Sequence, residues 1–208
     1  EPPMFSGIVQ RTLTIQSIEK KTGLWTLSLS LPSEMLDGLK LGASVALNGT
    51  CLTVCKMEGQ SVWFDVMMAT LKVTNLLDLE VGTVVNVERA ARFGDDIGGH
   101  QLSGHVFGQT SIVEIERPEN NRIIWFDIPA QFKAYIFDKG YIGLNGCSLT
   151  IAKVEESRFC VYLIPETLSI TTFGELEVGA NINLEVDSHT QAVVDTVERM
   201  LVQRGLIK

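Results

Sequence analysis

Eight residues, Leu47-Asn48-Gly49-Thr50-Cys51-Leu52-Thr53-Val54, return as Leu144-Asn145-Gly146-Cys147-Ser148-Leu149-Thr150-Ile151. The step is 97 residues, and other pairs keep it. Leu79-Glu80-Val81-Gly82 falls on Leu176-Glu177-Val178-Gly179, Asn86 and Glu88 on Asn183 and Glu185, and Ser6-Gly7 on Ser103-Gly104. Thr70-Leu71 falls on Thr167-Leu168, and Pro32 on Pro129. A constant offset over most of a chain marks an internal duplication. A period this long means two similar domains, not a solenoid. The 208 residues divide into two domains of ordinary size.

Within each half the period is that of β-structure. Trp25 to Leu31 alternates apolar and polar residues, the pattern of a strand with one buried face, after a break at Lys20 to Gly23. Ser44 to Val54 reads as strand, turn, strand, with Asn48-Gly49 as the hairpin signal. Gly59-Gln60 turns into a strand over Ser61 to Val66, and Val81-Gly82 into one over Thr83 to Arg89. Pro32 to Leu36 reads as a turn into a short helical segment. The second half repeats the order, with a turn at Glu119-Asn120-Asn121 and a strand over Trp125 to Ile128, and ends near Asp187. Short strands with little room between them point to small closed barrels.

One helix stands outside this pattern. From Thr190 to Arg204, Val193, Val194, Val197, Met200 and Leu201 make an apolar stripe, and Thr190 can cap the start. Lying beyond two complete barrels, the helix is better suited to pairing with other subunits than to folding back. The joint between the halves, Phe93 to His105, holds four glycines, so its backbone must bend sharply or approach something closely. His100 and His105 lie in it, and from spacing alone each reads as a solvated loop residue. His189 reads as a surface residue beside the helix.

Composition narrows the function. A net charge of −8 argues against nucleic-acid binding. No run approaches the roughly 18 to 20 apolar residues that span a membrane. Glu1-Pro2-Pro3-Met4 has no signal-peptide pattern, Met4 reads as the natural start after three appended residues, and a cytoplasmic location is the default. Four cysteines are too few for a disulfide framework. Cys51 and Cys55 do not share a metal, since strand residues four apart lie about 13 Å apart. Cys51, Cys55, Cys147 and Cys160 read as small buried hydrophobes. Gly98-Gly99-His100 is not a phosphate loop, and no G-x-S-x-G or H-E-x-x-H motif occurs. Glu166, after Pro165, sits in a bend that suits a ligand and solvent equally well. Taken alone, the residues give two similar β-barrels, a polar joint and a terminal helix. Two similar ligands, or two ends of one ligand, would suit such a chain.

Several segments together resemble the riboflavin synthase family of lumazine-binding barrels. They are Met4-Phe5-Ser6-Gly7-Ile8-Val9, Asn48 to Thr53, Asn86-Val87-Glu88-Arg89-Ala90, Gly98 to His105, Leu163 to Leu168, and Thr190 to Asp195. The resemblance covers Met4 to about Arg204. It implies an all-β fold of two tandem homologous six-stranded antiparallel β-barrels with a C-terminal α-helix. The corresponding domains are residues 4–100, 101–189 and, for an oligomerisation helix, 190–208. It also implies a homotrimer whose site lies between the first barrel of one subunit and the second barrel of its neighbour. The implied reaction is the dismutation of two 6,7-dimethyl-8-ribityllumazine molecules into riboflavin and 5-amino-6-ribitylaminouracil, with no metal or redox cofactor. Lumazine synthase is a partner that the family allows.

Carried over by position, Ser44, Cys51, Thr53 and His105 surround the ligand of the first barrel and assist proton transfers. Asp187 is the carboxylate near the reaction centre. Gly7, Ile8 and Val9 give backbone contacts, joined by Leu52, Gly104 and Val106. Asp65, Val66, Met67, Met68, Ala69 and Thr70 hold ring or ribityl groups. The second barrel offers Ser148, Leu149, Thr150, Ile164, Pro165, Glu166, Thr167, Leu168 and Ser169, with Lys139 at the rim. Cys51 and His105 map onto Ser148 and Ile8, so the first barrel is expected to be the chemically equipped one. Met68-Ala69-Thr70 departs from the family's Glu-Thr pair, which Glu166-Thr167 keeps, because Ala69 stands in place of the glutamate. The lost hydrogen bond would cost about 0.5–1.5 kcal/mol of binding. The rival reading is a non-catalytic antenna protein that binds a lumazine or flavin as a chromophore, and the retained Cys51, His105, Ser44, Thr53 and Asp187 weigh against it.

Overall fold

The strands follow the alternation of the sequence. In the computed structural model, which describes residues 2–208, the first half forms β1 (Arg11–Lys21), β2 (Leu24–Ser30), β3 (Ser44–Leu47), β4 (Thr50–Glu58), β5 (Ser61–Met67) and β6 (Val84–Arg89). They close into a barrel in the order β1-β2-β5-β4-β3-β6. Their inward residues, among them Leu27, Leu29, Val45, Leu47, Val62 and Phe64, fill one core. Helix α1 (Ser33–Leu36) stands where the Pro32 turn predicts it. Helix α2 (Met68–Val73), which follows β5, was not legible as a helix.

The second half repeats the path with β7 (Gly108–Glu116), β8 (Arg122–Asp127), β9 (Tyr141–Leu144), β10 (Cys147–Thr150), β11 (Lys153–Val154), β12 (Arg158–Leu163) and β13 (Asn181–Val186). Helix α3 (Pro165–Ile170) is the counterpart of α2, so Glu166 lies in a helical turn with Pro165 at its start rather than in a simple bend. Seven strand segments stand where six were expected, and they form a sheet in the order β10-β9-β13-β7-β8-β12-β11 that the strand ladders do not close into a full ring. The reason is local. The register of β4 shifts between Val54 and Lys56, a bulge at Cys55. At the matching Ile151-Ala152 the second copy leaves the ladder, so β10 and β11 together hold the place of β4. Ile151 stays fully buried, and its N–H donates to the Gly140 carbonyl at 2.8 Å.

The two hairpin turns meet back to back. Asn48 and Gly49 have φ of 46° and 77°, and Asn145 and Gly146 have 47° and 76°, both type I′. A Cβ on Gly49 would lie 2.5 Å from the Gly146 nitrogen, and one on Gly146 would lie 2.7 Å from the Gly49 nitrogen. Around this contact four buried asparagines bond in matched pairs. Asn86 Nδ2 donates to the Asn145 carbonyl and Asn183 Nδ2 to the Asn48 carbonyl, each at 2.9 Å. The Asn48 Oδ1 accepts from Asn86 N at 2.9 Å, and the Asn145 Oδ1 from Asn183 N at 2.8 Å. A third pair has diverged. Asn75 N donates to Asn183 Oδ1 and Thr172 N to Asn86 Oδ1, at 2.7 and 2.8 Å. The Asn75 amide also reaches Asn145 Oδ1 at 3.0 Å, whereas the buried Thr172 hydroxyl has no partner among the described residues.

Each half lends a segment to the other. Phe5 and Leu102 exchange backbone hydrogen bonds of 2.8 and 2.9 Å. Ahead of β1, Val9 packs in the core of the second barrel. The Gly7 carbonyl accepts from Ser148 N at 2.7 Å, and the Gly104 carbonyl from Cys51 N at 2.9 Å.

Helix α4 (Ser188–Gln203) is capped by Asp187 and not by Thr190: the Asp187 carboxylate accepts from Thr190 N at 3.1 Å and Thr190 Oγ1 at 2.9 Å. Tyr135 donates to Asp195, which ties the helix to the second barrel. No residue of α4 is buried, and Val193, Val197 and Met200 are 64%, 50% and 47% exposed.

Two substitutions test the contact between turns. Gly82 shares a positive φ of 96° but has nothing within 4 Å of a built Cβ. Gly82→Ala therefore carries only backbone strain, about 1–2 kcal/mol. Gly49→Ala adds a backbone collision, and urea unfolding is expected to show a clearly larger loss. Asn183→Ala, which strands several buried polar groups, is expected to cost about 1–3 kcal/mol for each group left unpaired.

Candidate active site

On β4, Leu52 points into the core, so Cys51 and Thr53 face outward. Cross-strand pairing extends that outward face. Thr53 lies opposite Ser44 on one side and Asp65 on the other, and Asp65 lies opposite Thr26. The row Thr26, Asp65, Thr53, Ser44 thus runs over four neighbouring strands, with Thr26 Oγ1 donating to Asp65 at 2.7 Å. Ser103-Gly104-His105 lies along the edge of this row. A Cβ on Gly104, whose φ is 80°, would sit 2.5 Å from the Cys51 Cβ, so only glycine lets the joint approach so closely. Cys51 is half-buried and His105 exposed. Burial pushes the Cys51 thiol up, the Ser44 side chain pulls it down, and the charge of Glu185 pushes it up again.

Equivalent positions on the second barrel carry a different chemistry. Ser148 replaces Cys51, Tyr141 replaces Ser44 and Tyr162 replaces Asp65, while Thr150 keeps the threonine of Thr53. Tyr141 pairs with Thr150, and both tyrosines are more than half exposed. His100 is only 8% exposed, which overturns the solvated reading. Its Nδ1 lies 2.6 Å from Ser148 Oγ, its ring stacks on Tyr141 at 5.3 Å, and its Nε2 is buried without a partner among the described residues. Burial holds the His100 imidazole below its usual pKa, while the Asp187 charge works the other way. Gly99 makes this possible: a Cβ there would be 2.0 Å from the Ser6 carbonyl.

The structure therefore sorts the expected residues into two groups. Ser44, Cys51, Thr53, Asp65, Gly104 and His105 gather on the first barrel, with Met67 exposed beside them and Met68, Ala69 and Thr70 in α2. Ser148, Thr150, Lys139, Asp187 and the segment Ile164 to Ser169 belong to the second. Gly7 and Ile8, expected with the first barrel's ligand, lie instead beside Ser148, because the N-terminal segment crosses over. Leu52, Val66, Leu149 and Val9 are core residues, and Val106 is partly buried. Cys147 and Cys160 are buried as expected, with Cys147 pushed up to about 12 by burial. Cys55, expected to be buried, is exposed because the bulge turns it outward.

Sequence reasoning passed over Glu88 and Glu185. Both are buried, at 6% and 7% exposure. Glu88 accepts from Ser6 N and Oγ, each at 2.8 Å, and from Gly7 N at 3.1 Å. Glu185 accepts from Ser103 N at 2.7 Å, Ser103 Oγ at 2.8 Å and Gly104 N at 3.2 Å. The 97-residue step pairs them and could have drawn attention to them.

Comparison with known proteins places this geometry. The Lumazine binding domain family matches residues 6–90 and again 103–187. Riboflavin synthase of Escherichia coli (strain K12) is 54% identical over 202 residues, spanning 97% of this chain and 95% of that protein. Riboflavin synthase of Bacillus subtilis (strain 168) is 39% identical over 187 residues, spanning 88% and 85%. Among solved structures, LumP complexed with 6,7-dimethyl-8-(1'-D-ribityl) lumazine is 28% identical with a TM-score of 0.80, covering 88% of this chain and 99% of that one. LumP complexed with riboflavin is 30% identical with a TM-score of 0.82, covering 88% and 100%. With both halves matched by the domain and relatives aligned over nearly the full length, the chain belongs to the riboflavin synthase family of lumazine-binding proteins.

Proposed function

We propose that this chain converts two molecules of 6,7-dimethyl-8-ribityllumazine into riboflavin and 5-amino-6-ribitylaminouracil by transfer of a four-carbon unit. The observation that carries the reading is the outward row of Ser44, Thr53 and Asp65 beside Cys51, with the Gly104-His105 backbone laid against the cysteine. The 54% identity to a full-length riboflavin synthase supports the same conclusion.

The reaction explains why the chain is a duplication. Donor and acceptor are the same molecule, so related barrels can hold them face to face. One lumazine must lose a proton from its C7-methyl group, and a nucleophile must add to ring carbon C7 of the other. Ser44, Cys51, Thr53 and His105 carry these proton transfers and the addition, and Asp187 joins them from a second barrel. Holding two planar rings in reacting geometry supplies about 7–11 kcal/mol in favourable cases. Positioned acid and base groups add about 10²–10⁴-fold.

The chain works as a homotrimer with domains at residues 4–100, 101–189 and 190–208, the last pairing between subunits. Its support is the uncovered apolar stripe of α4. Such an arrangement brings Asp187, Ser148 and Lys139 of one subunit to the Cys51 face of the next. The segments Asp65 to Thr70 and Ile164 to Ser169, together with Gly7, Ile8 and Val9, hold the two ligands. The enzyme acts in the cytoplasm, and docking with lumazine synthase, which would deliver the substrate directly, is consistent with this role. Among the described residues no helix is long and apolar enough to cross a membrane.

Purified protein mixed with 6,7-dimethyl-8-ribityllumazine alone is expected to form one riboflavin per two lumazines consumed, followed by absorbance and fluorescence. His105→Gln is expected to lower kcat by about 10²-fold, the lower range for a lost proton-transfer group. Tight binding of the lumazine without turnover would instead identify a chromophore carrier. Val197→Asp is expected to dissociate the trimer, read by sedimentation, and to abolish turnover while each chain stays folded.

A further inference from the structure

The two buried glutamates lie in the wrong barrel for the sites they serve. Glu185 stands on β13 of the second barrel, yet its carboxylate accepts three hydrogen bonds from Ser103 and Gly104, the segment laid against Cys51 of the first barrel. The His105 N–H donates in turn to Ser103 Oγ at 3.1 Å, so the hydroxyl links the carboxylate to the histidine's own backbone. Glu88 on β6 of the first barrel repeats the arrangement. It accepts from Ser6 and Gly7, the Ile8 N–H donates to Ser6 Oγ at 3.1 Å, and the segment lies against Ser148 of the second barrel.

We infer that Glu185 and Glu88 are positioning residues, each fixing from one barrel the loop that completes the ligand site of the other. The inference rests on the lumazine dismutation proposed above for its kinetic consequence, but its geometry and its electrostatics stand apart from that reading. A buried carboxylate is costly unless several donors meet it, and here the donors are the backbone amides and hydroxyl of a single loop. Among the described residues no lysine or arginine shares these hydrogen bonds. The loop is therefore held in one place by the group that most needs it. Ser103 and Gly104 cannot drift without stranding the Glu185 charge, and Gly104 fixes how close His105 comes to Cys51. Burial raises both carboxylates above the usual range, the loop's hydrogen bonds oppose the rise, and His105 opposes it for Glu185. The Glu185 charge also raises the Cys51 thiol, after burial and against Ser44, whereas Glu88 holds the Ser6-Gly7 segment that lies against Ser148.

The test uses the full-length protein with Glu185→Gln and Glu88→Gln. The neutral amide keeps the shape but meets the loop's donors with its own. Both variants are expected to lose about 10- to 100-fold in kcat, the scale of an ångström-sized misplacement, with little change in KM. A second readout separates positioning from general damage. Alkylation of Cys51 by iodoacetamide, followed by mass spectrometry of the Cys51 peptide against pH, reports thiolate formation. Glu185→Gln is expected to lower the midpoint of that profile, and Glu88→Gln to leave it in place. A loosened fold that exposes Cys51 would also lower the midpoint, since burial is the main cause of its rise, so the charge effect is read against Ser103→Ala, which disturbs the same loop and keeps the charge. Ser103→Ala, which removes the hydroxyl link and keeps the charge, is expected to lower kcat several-fold with the midpoint unchanged, and it decides the question should Glu185→Gln fail to fold. An unmoved Cys51 midpoint in Glu185→Gln, or kcat within twofold of the parent in Glu185→Gln or Ser103→Ala, overturns the inference. Absence of riboflavin from the parent protein itself would overturn the proposed reaction, and the alkylation midpoint would still decide the role of Glu185.

Discussion

Everything else in the molecule is arranged around the meeting of two glycines. Gly49 and Gly146 sit at the tips of equivalent hairpins, so close that neither has room for a methyl group. Backbones packed at that distance need their polar groups satisfied without water. The asparagines supply this, because an amide side chain both donates and accepts. Asn86 and Asn183 reach across to the opposite turn, while Asn48 and Asn145 brace the strand beside their own. The result is a polar seam between two apolar cores in which the four asparagines bond in matched pairs, and these bonds give the halves their two-fold relation.

That seam makes the exchange of segments geometrically natural. Once the hairpin tips touch, the residues just past each tip, Cys51 and Ser148, lie near the plane between the barrels. A segment leaving one barrel can therefore line the other. Phe5 and Leu102 pair at the crossing and bury with Ala46 in a small apolar cluster of their own. Each site is thus a joint product of both halves, and the folding of one barrel has a direct consequence for the ligand face of its neighbour.

Much of this was legible in the sequence, and the limit is physical. The duplication, the strands, the Asn48-Gly49 turn and the terminal helix rest on periodicity or on a residue's own backbone preference, so local reading reached them. Helices α2 and α3 span only six residues each, too few for a helical period to show. Exchange of the N-terminal segment depends on a bridge between Phe5 and Leu102, residues far apart in the chain, and nothing local encodes it. His100 looked like a solvated loop residue because its burial depends on Tyr141 and Ser148 from the second barrel. Asp187 drew attention as a possible reactive carboxylate while its capping of α4 went unseen, although a position just before a helix suits aspartate well.

The pattern of divergence between the halves argues for where the chemistry lies. At the seam, Asn48 matches Asn145, Asn86 matches Asn183, and Glu88 matches Glu185, because a two-fold contact constrains both copies alike. The seam differs at Asn75 against Thr172 and at Thr50 against Cys147, and the buried Thr172 hydroxyl has no partner among the described residues. On the outward row the copies differ at all positions but one: Thr53 keeps its threonine as Thr150, while Ser44 stands against Tyr141, Asp65 against Tyr162 and Thr26 against Ile123, with Cys51 beside the row against Ser148. A row of small hydroxyl, thiol and carboxylate groups suits proton transfer, whereas exposed tyrosines offer flat surfaces on which a planar ring can rest. Identical ligands bound to identical sites would have no reason to react differently. Two copies that share a frame and differ on the face presented to the ligand can give the same molecule two roles, donor on one barrel and acceptor on the other.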